Sequence, residues 1–461
     1  MSGTATAVGQ APEHTAADTR LMVVGAGLAG CEAAWQAARL GVRVRLIDMK
    51  PKRLTAAHHS DDFAELVCSN SLGAASTENA KGLLKQELRE LGSLVVRCAD
   101  ENRVPAGGAL AVDRLRFSEA VTRAICADGN IEIECAEVGE IPAARPCVIA
   151  TGPLTTDGLS ANIRERLGSG SLYFFDAAAP IVALRSVDES RTFRASRYDK
   201  GGGDDYVNCP MTREEYQIFT DALVAAETAE QKDFEETKLF SGCMPVESIA
   251  KRGPDTLRFG PLKPKGLIDP VTGREPYAVV QLRQDDAEGR LYNLVGFQTR
   301  LRFGEQKRVF GLIPGLANAE FVRYGVMHRN TFLDSPRLLK ADYAARREPK
   351  LFFAGQITGV EGYVESVSSG LVAGISAARG LLGLPAVQLP PETMTGALAK
   401  YVSSYAGADF QPMNANFGIL AQPEQTEPLC ATRRRLSKRE RNRFYAERAI
   451  EAIRAFAARL E

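Results

Sequence analysis

Apolar and polar positions near the start of the chain predict two strands joined by a helix. Residues 21–24 (LMVV) form a short apolar run, which is typical of a buried parallel strand. Residues 31–40 have helical composition, and Gly41 can end that helix. Residues 42–48 alternate and then become apolar, which indicates a second strand. The whole segment is about 28 residues long, close to the roughly 30 residues of a βαβ unit.

Further apolar runs, typical of the same α/β fold, lie before and after a segment whose composition differs. Residues 186–324 carry many charges, glycines and prolines, which indicates an inserted domain. The pattern therefore predicts an α/β protein: a discontinuous Rossmann-like domain with an inserted α+β domain. Further helices are predicted at 81–96, 114–126 and about 433–460, strands at 146–150 and 351–354, and a loop region at 52–80. The predicted parts are a disordered tail at 1–20, the first domain at 21–185 and 325–461, and the inserted domain at 186–324.

Composition limits the cellular compartment in which the protein is expected to work and the kinds of binding site it is expected to carry. Lysine plus arginine (57) equals aspartate plus glutamate (57), so any nucleic-acid site must be a local patch. The nine cysteines include no C-x-x-C pair and the four histidines are not spaced as ligands, which argues against a disulfide framework and against a metal site. Residues 1–20 lack the apolar core of a signal peptide, and no run reaches the ~18–20 apolar residues of a membrane span. We expect a cytoplasmic protein without a membrane segment.

A glycine-rich turn of the form G-x-G-x-x-G joins the first predicted strand to its helix. Gly25 permits the tight turn, Gly27 lets the backbone approach a pyrophosphate, and Gly30 lets helix and strand pack closely. The free amides at the helix start supply positive potential for phosphates. Asp48 lies 18 residues beyond Gly30 at a strand end, where a carboxylate can accept hydrogen bonds from ribose hydroxyls. The sequence predicts a dinucleotide site formed by Gly25, Ala26, Gly27, Leu28, Ala29, Gly30 and Asp48.

Two later segments favour FAD over NAD as that dinucleotide. Thr151-Gly152 follows a strand, as it does in flavoproteins with two dinucleotide sites. Gly355-Gln356 precedes a glycine-rich turn, and a small-residue helix is predicted after Gly362. In such folds the dipole of this helix faces the isoalloxazine and stabilises negative charge near N1 and O2, although small residues also serve ordinary helix packing. We therefore expect an FAD site to which Thr151, Gly152, Gly355, Gln356 and Gly362 contribute.

Two cysteines lie in segments that can present a thiol. Cys68 lies in the polar loop region, and the glycine before Cys243 and Pro245 after it suggest a fixed, exposed turn. Such a cysteine becomes a nucleophile when nearby positive charge stabilises its thiolate. The pattern alone favours an inert role for each over a catalytic one. Small core residues are predicted at Cys31, Cys126 and Cys147.

Several long strings carry a resemblance to a known family. They include GAGLAGCEAAWQ, ELVCSNSL, FSGCMPVE, RYGVMHRNTF, FFAGQITGVEGYVESVSSGLVAG and MNANFGIL. From Leu21 to the C-terminus the chain resembles the folate- and FAD-dependent tRNA uracil-C5 methyltransferases, which make 5-methyluridine at position 54 of the T loop. A longer, related class of flavoproteins modifies wobble uridines and ends in a helical tRNA-binding domain, for which this chain is too short.

The resemblance implies a reaction that needs cysteines. A thiolate adds to C6 of uracil and makes C5 nucleophilic, C5 takes a one-carbon unit from methylenetetrahydrofolate, and a base removes the C5 proton. Reduced FAD then supplies the hydride that completes the methyl group, and NAD(P)H reduces FAD again. By motif match, Cys243 is expected to be the C6 nucleophile and Cys68 the C5 base or its assistant, although the two roles can be exchanged.

The resemblance also implies contacts with folate and tRNA. His328 is expected to stack on or hydrogen-bond the pterin, with a structural role as an equal alternative. The basic start of the C-terminal helix can bind tRNA phosphates, with a solvated helix face as the alternative. A second basic cluster contains Arg300, Arg302, Lys307 and Arg308, and no aromatic platform can be identified from the sequence. His58 and His59 are expected to be solvated loop residues, with contact to folate or tRNA as the alternative. The substrate-binding residues expected are His328, Arg433, Arg434, Arg435 and Lys438.

Other functions stay open at this point. They are a wobble-uridine tRNA-modifying flavoprotein, a small-molecule flavin oxidoreductase, and a tRNA-binding chaperone with structural FAD. The inserted domain is expected to serve the substrate and tRNA, and the protein is expected to be a monomer or a weak dimer.

Overall fold

The computed structural model describes residues 20–460 except 56, 145, 169–171, 178, 230–243, 326, 408–409 and 422–436, and it leaves the side chains of 172–177 and 327–331 undescribed. The strands in this part of the chain are β1 (Leu21–Val24), β2 (Val44–Asp48), β3 (Ser71–Ala74), β4 (Arg103–Val104), β5 (Ala109–Val112), β6 (Ile131–Cys135), β7 (Cys147–Ile149), β8 (Leu172–Ala177), β9 (Ile181–Ala183), β10 (Phe193–Arg194), β11 (Tyr206–Met211), β12 (Ala278–Gln284), β13 (Leu291–Leu294), β14 (Phe321–Arg323), β15 (Met327–Phe332) and β16 (Leu351–Phe353). The helices are α1 (Leu28–Arg39), α2 (Ala80–Glu90), α3 (Leu94–Glu101), α4 (Arg114–Ala127), α5 (Asp157–Leu167), α6 (Arg213–Ala225), α7 (Val246–Ala250), α8 (Thr256–Phe259), α9 (Phe303–Phe310), α10 (Ser335–Leu338), α11 (Tyr363–Leu381), α12 (Met394–Ser404) and α13 (Lys438–Ala457).

A parallel sheet of five strands forms the first layer, in the order β16-β7-β1-β2-β6. The register of β1 places Leu21 beside Val44 of β2 and Met22 beside Cys147 of β7. The central strands β1 and β7 are buried along their whole length, as expected for parallel strands covered on both faces. Strand β16 comes about 200 residues after β7, so the sheet is completed only after a long excursion of the chain.

Helix α11 packs directly on α1 because both helices present small residues at their contact. A Cβ added at Gly370 would overlap the backbone oxygen of Ala29, and one added at Gly374 would overlap that of Ala33. Nearly every residue of α11 from Val364 to Ala378 is buried. The small-residue segment predicted from the sequence therefore brings the helix after β16 against the helix after β1.

A second sheet of six antiparallel strands, in the order β10-β11-β12-β13-β9-β14, has its own core. Helices α6, α7 and α9 pack against it through residues such as Phe219, Val246 and Phe310. This confirms the fold class, a Rossmann-like sheet with an inserted α+β unit. Strand β9 already belongs to the second sheet although it precedes residue 186. The domain boundaries at 185 and 324 stay predictions.

An ion pair links the two sheets, and strands β8 and β15 form a separate antiparallel ladder. The buried Arg114 of α4 forms a two-pronged ion pair with Asp285, which follows β12, at 2.9 and 3.2 Å. A paired buried charge of this kind fixes the angle between the units more than it stabilises them.

Some predicted elements were wrong in detail. The predicted helix at 81–96 is two helices, because Gly92 adopts a positive φ of 70° and Ser93 caps α3 through Val96 N. Strand β3 lies inside the predicted loop region 52–80, and β6 had no prediction. The C-terminal helix begins at Lys438, where Ser437 and Glu440 form a capping box, whereas residues 433–436 lie outside the described residues.

Candidate functional site

The glycine turn after β1 is built as its sequence predicts. Gly25 has a φ of +100°, and a Cβ there would lie 2.6 Å from the backbone oxygen of Ala150. A Cβ at Gly30 would overlap the Gly25 oxygen, so helix and turn meet without space between them. By contrast, a Cβ at Gly27 would meet no other described atom within 4 Å, because this α-carbon faces a cleft. Two of the glycines are therefore required by packing, and the third lies open to a ligand.

The cleft is lined by the ends of the parallel strands and by the first turns of α1 and α11. Its empty space, including the open mouth, is about 1160 Å³. Gly30 packs beneath it, and Gly362 caps α11, whose Tyr363 and Ser366 reach the cleft wall. The predicted dinucleotide residues that line it together are Gly25, Ala26, Gly27, Leu28, Ala29, Asp48, Thr151, Gly152, Gly355 and Gln356.

Asp48 is held differently from the sequence-based expectation. One carboxylate oxygen accepts a hydrogen bond from the amide of Ala26 at 2.6 Å, and the other accepts from the amide of Lys50 at 2.9 Å. These contacts tie the end of β2 to the glycine turn. A carboxylate has about four acceptor sites, so Asp48 can still accept hydrogen bonds from a ligand in the cleft.

The N-terminus of α11 also borders this cleft, through Tyr363 and Ser366. Gly355 and Gly362 both have positive φ, 83° and 114°, as the turns before the helix require. The amide of Gly355 donates to the hydroxyl of Ser369 at 2.7 Å, which ties β16 to the helix. The uncompensated amides of a helix start favour negative charge. The structure thus brings the second predicted flavin segment to the same cleft as the glycine turn.

Cys68 lies in a half-buried segment that is held on several sides. The hydroxyl of Tyr363 accepts hydrogen bonds from the amides of Cys68 and Ser69, at 2.8 and 3.0 Å. Val67, the preceding residue, lines the cleft. The first turn of α11 therefore positions both the cleft wall and the cysteine beside it. Burial raises the pKa of Tyr363, so its hydroxyl stays protonated.

Three arginines surround the same segment. Arg323 donates to the carbonyl of Val67 at 2.7 Å, and Arg283 donates to the hydroxyl of Ser69 at 2.7 Å. Arg114 donates to the carbonyl of Leu66. Burial lowers the pKa of Arg283 and of Arg323, but guanidinium groups keep their charge in proteins. The charge of Arg114 is balanced by its ion pair with Asp285, whereas Arg283 and Arg323 donate here to uncharged oxygens. These arginines come from β12, β14 and α4, and no local sequence signal connects them to Cys68.

Another part of the cleft is lined by a cluster of titratable side chains, Lys50, Glu65 and His58, that was not predicted from the sequence. Lys50 forms an ion pair with Glu65 at 3.2 Å. The expectation that His58 is solvated was wrong: it is half-buried, and its Nδ1 lies 2.6 Å from the hydroxyl of Thr55. Burial and the charge of Lys50 lower the pKa of His58 to about 4. His59 is exposed, as expected.

The other predicted site residues are placed as follows. Cys243, Arg433, Arg434 and Arg435 lie outside the described residues. His328 lies on β15, where its backbone pairs with Asp176. Lys438 is exposed at the start of α13. Their proposed roles stay predictions.

Of the three cysteines predicted to be small core residues, two are buried and one is not. Cys31 and Cys147 are buried, and burial raises the pKa of the Cys31 thiol. Cys126, by contrast, is exposed on α4. The helical composition around it did not show which face of α4 would pack.

None of the helices in the described ranges is long and apolar enough to cross a bilayer. The same residues contain no cluster of three side chains suited to hold a metal ion.

Fold and cleft together define a GidA-like flavoprotein. A protein-family model described as glucose inhibited division protein A matches residues 20–385. Two crystal forms of GidA from Aquifex aeolicus superpose with a TM-score of 0.69 at 17% and 18% identity, covering 96% of this chain and 73% and 76% of theirs. At this identity the likeness supports the fold alone.

Sequence relatives define the family more narrowly. Proteins named methylenetetrahydrofolate–tRNA-(uracil-5-)-methyltransferase TrmFO are 58% identical in Acetivibrio thermocellus, over 95% of this chain and 98% of the relative, and 58% identical in Rubrobacter xylanophilus, over 94% and 96%. One from Desulfitobacterium hafniense is 56% identical over 95% and 98%. The chain belongs to the methylenetetrahydrofolate–tRNA-(uracil-5-)-methyltransferase family, which confirms the resemblance seen in its motifs.

Proposed function

We propose that this chain transfers a one-carbon unit from methylenetetrahydrofolate to C5 of uridine 54 in the T loop of tRNA and reduces it to a methyl group. The observation that supports this most directly is the contact of Tyr363 with Cys68. It joins the helix that faces a dinucleotide cleft to a segment that carries a nucleophilic residue.

The cleft fits FAD. The open α-carbon of Gly27 and the amides of the α1 start would hold the pyrophosphate, Asp48 would accept from ribose hydroxyls, and the N-terminus of α11 would face the isoalloxazine. When bound, reduced FAD would supply the hydride that completes the methyl group, and NAD(P)H would return those electrons.

Cys68 and Cys243 would act in two different steps on the uracil ring. One thiolate adds to C6, and the electron pair displaced from the C5–C6 double bond makes C5 nucleophilic toward the one-carbon unit. The other cysteine removes the C5 proton, or assists its removal, as the one-carbon unit separates from tetrahydrofolate. The C6–sulfur bond would break and release the thiolate once hydride has completed the methyl group. Positive charge from Arg283 and Arg323 near this segment would support a thiolate at Cys68. Cys243 directly precedes the buried Met244.

Substrate contacts complete the proposal. Lys438 with Arg433, Arg434 and Arg435 would bind tRNA phosphates, and His328 would contact the pterin. Uridine 54 must leave its stack before a thiol can reach C6. We expect the protein to work in the cytoplasm as a monomer or weak dimer.

The test follows a labelled methylene group. Purified protein, NAD(P)H, labelled methylenetetrahydrofolate and tRNA are incubated, and T-loop fragments are analysed by mass spectrometry. We expect label in 5-methyluridine at position 54 with wild-type protein, and none with Cys243→Ala or Cys68→Ala. Cys126→Ala, which removes an exposed thiol on α4, is the matched control and should keep full activity.

Covalent trapping separates the two cysteines. A tRNA with 5-fluorouridine should form a stable adduct with whichever variant keeps the C6 nucleophile, because fluorine blocks proton removal at C5. Unlabelled product, or full turnover in both cysteine variants, would contradict the proposal.

A further inference from the structure

Three aromatic rings are stacked nearly parallel at the surface of the inserted unit. The ring centroids of Phe303 and Tyr324 are 4.9 Å apart with an interplanar angle of 20°, and those of Tyr324 and Phe321 are 5.4 Å apart at 10°. Phe303 ends this ring stack and is 55% exposed. The exposed ring offers a flat aromatic face on which another ring can stack.

The ring stack is fixed in place by hydrogen bonds. Gln306 of α9 donates to the carbonyl of Gly325 and accepts from its amide, both at 2.8 Å, so the helix that starts at Phe303 is tied to the residue after Tyr324. Arg323, between Phe321 and Tyr324, donates to the carbonyl of Val67 at 2.7 Å. The ring stack is therefore connected through one residue to the segment of Cys68.

Positive charge surrounds the ring stack. Some of these cations are partly balanced: Arg302 pairs with Glu227, and Arg308 pairs with Glu305. Lys307 is exposed, and Arg323 is bound by backbone carbonyls rather than by a carboxylate. Exposed aromatic rings among cations are how proteins hold single-stranded nucleic acid, since every base has a face that can stack.

We propose that Phe303, supported by Tyr324 and Phe321, is a stacking platform for an unpaired nucleobase of the tRNA loop that carries the target uridine. This inference rests on the proposed function, because it places the RNA loop beside Cys68. A base that stacks on Phe303 compensates for the stacking that the loop loses when the target uridine is turned out. The backing rings keep Phe303 in one orientation, so little side-chain freedom is lost on binding.

The test compares three variants in binding of a T-arm hairpin by fluorescence anisotropy. Phe303→Leu keeps an apolar side chain without a ring and should weaken binding about tenfold, within the range for loss of one stacked base. Phe303→Trp should bind at least as tightly as wild type. Phe259→Leu is the control, because Phe259 is 84% exposed on α8 and outside the ring stack. Its affinity should not change.

Two readouts identify stacking itself. The slope of log affinity against log salt should be the same in Phe303→Leu and wild type, because no phosphate contact is lost. The fluorescence of 2-aminopurine placed in the loop should be quenched by wild type and by Phe303→Trp, and less by Phe303→Leu. Flavin absorbance and Tm verify that each variant is folded.

Several results would overturn the platform. One is equal affinity of wild type and Phe303→Leu for the hairpin; another is a loss of affinity that Phe303→Trp does not restore. A change in oligomeric state without a change in RNA affinity would assign the surface to a second copy of the chain instead. Failure of the proposed function is seen separately, as wild-type protein that binds the hairpin but transfers no label to it.

Discussion

The hydroxyl of Tyr363 accepts a hydrogen bond from the backbone amide of Cys68 at 2.8 Å, across 295 residues of sequence. Tyr363 is the first residue of α11, so the helix that faces the cleft also determines where the cysteine segment lies. The same hydroxyl accepts from Ser69. One side chain thus couples the proposed flavin site to the proposed site of uracil addition.

Tyr363→Phe should therefore lower the turnover number strongly and lower the free energy of unfolding only modestly. The change leaves two amides without their acceptor, at about 2 kcal/mol in the free energy of unfolding. We expect kcat for methylation to fall at least tenfold while flavin content is kept. Tyr401→Phe is the control, since it removes a hydroxyl that donates to the carbonyl of Gln411 at 2.7 Å. Urea unfolding and turnover are measured for both, and an equal loss of activity in the two variants would refute the positioning role.

Gly27→Ala should lose flavin without losing stability. Gly27 has φ −73°, which alanine adopts readily, and its added Cβ has space in the described structure. The same Cβ would occupy the position where a pyrophosphate must approach. We expect flavin absorbance per protein to drop severalfold at an unchanged Tm of the flavin-free form. Gly30→Ala, whose Cβ overlaps the Gly25 oxygen, should instead destabilise the fold. Full flavin content in Gly27→Ala would place the dinucleotide elsewhere.

Arg114→Met should destabilise the protein strongly. It leaves the buried carboxylate of Asp285 unpaired, at a cost of about 3–5 kcal/mol. The double variant Arg114→Met with Asp285→Leu should recover more than half of that loss, because no charge is left buried. Arg116→Met removes an exposed pair with Glu288 and should cost less than about 1 kcal/mol. Urea denaturation checks all three, and additive losses in the double variant would contradict this account.

His58 should make stability sensitive to mild acid. Its folded pKa of about 4 lies below the unfolded value near 6.5, so the unfolded state binds the proton first. The free energy of unfolding is therefore highest above about pH 6.5, where His58 is neutral in both states. It falls by at most about 3 kcal/mol as the pH drops toward 4. The free energy of unfolding of wild type should fall more than that of His58→Gln over this range. Burial also lowers the pKa of His59, but this side chain is exposed, so His59→Gln should lose less of the acid sensitivity than His58→Gln. Parallel curves for all three proteins would exclude the effect.

Local patterns in the sequence predicted the parts of the site that are built locally. The strand, glycine turn, helix and Asp48 lie within 28 residues, and turn chemistry and hydrophobic period act over that distance. The segment around Gly362 was recognised for the same reason. The motif strings alone were enough to identify the family, because recognising long stretches of similar sequence does not require knowing how the chain folds.

Only the tertiary structure decided what surrounds these parts. Arg283, Arg323 and Tyr363 reach the Cys68 segment from 214, 256 and 295 residues away. The ring of Phe303 meets that of Tyr324 only after α9 packs against the segment that follows β14. The exposed Cys126 and the half-buried His58 likewise depended on which faces pack. Sequence patterns report the preferences of neighbouring residues, whereas hydrogen bonds and ring contacts between distant segments exist only once the chain is folded.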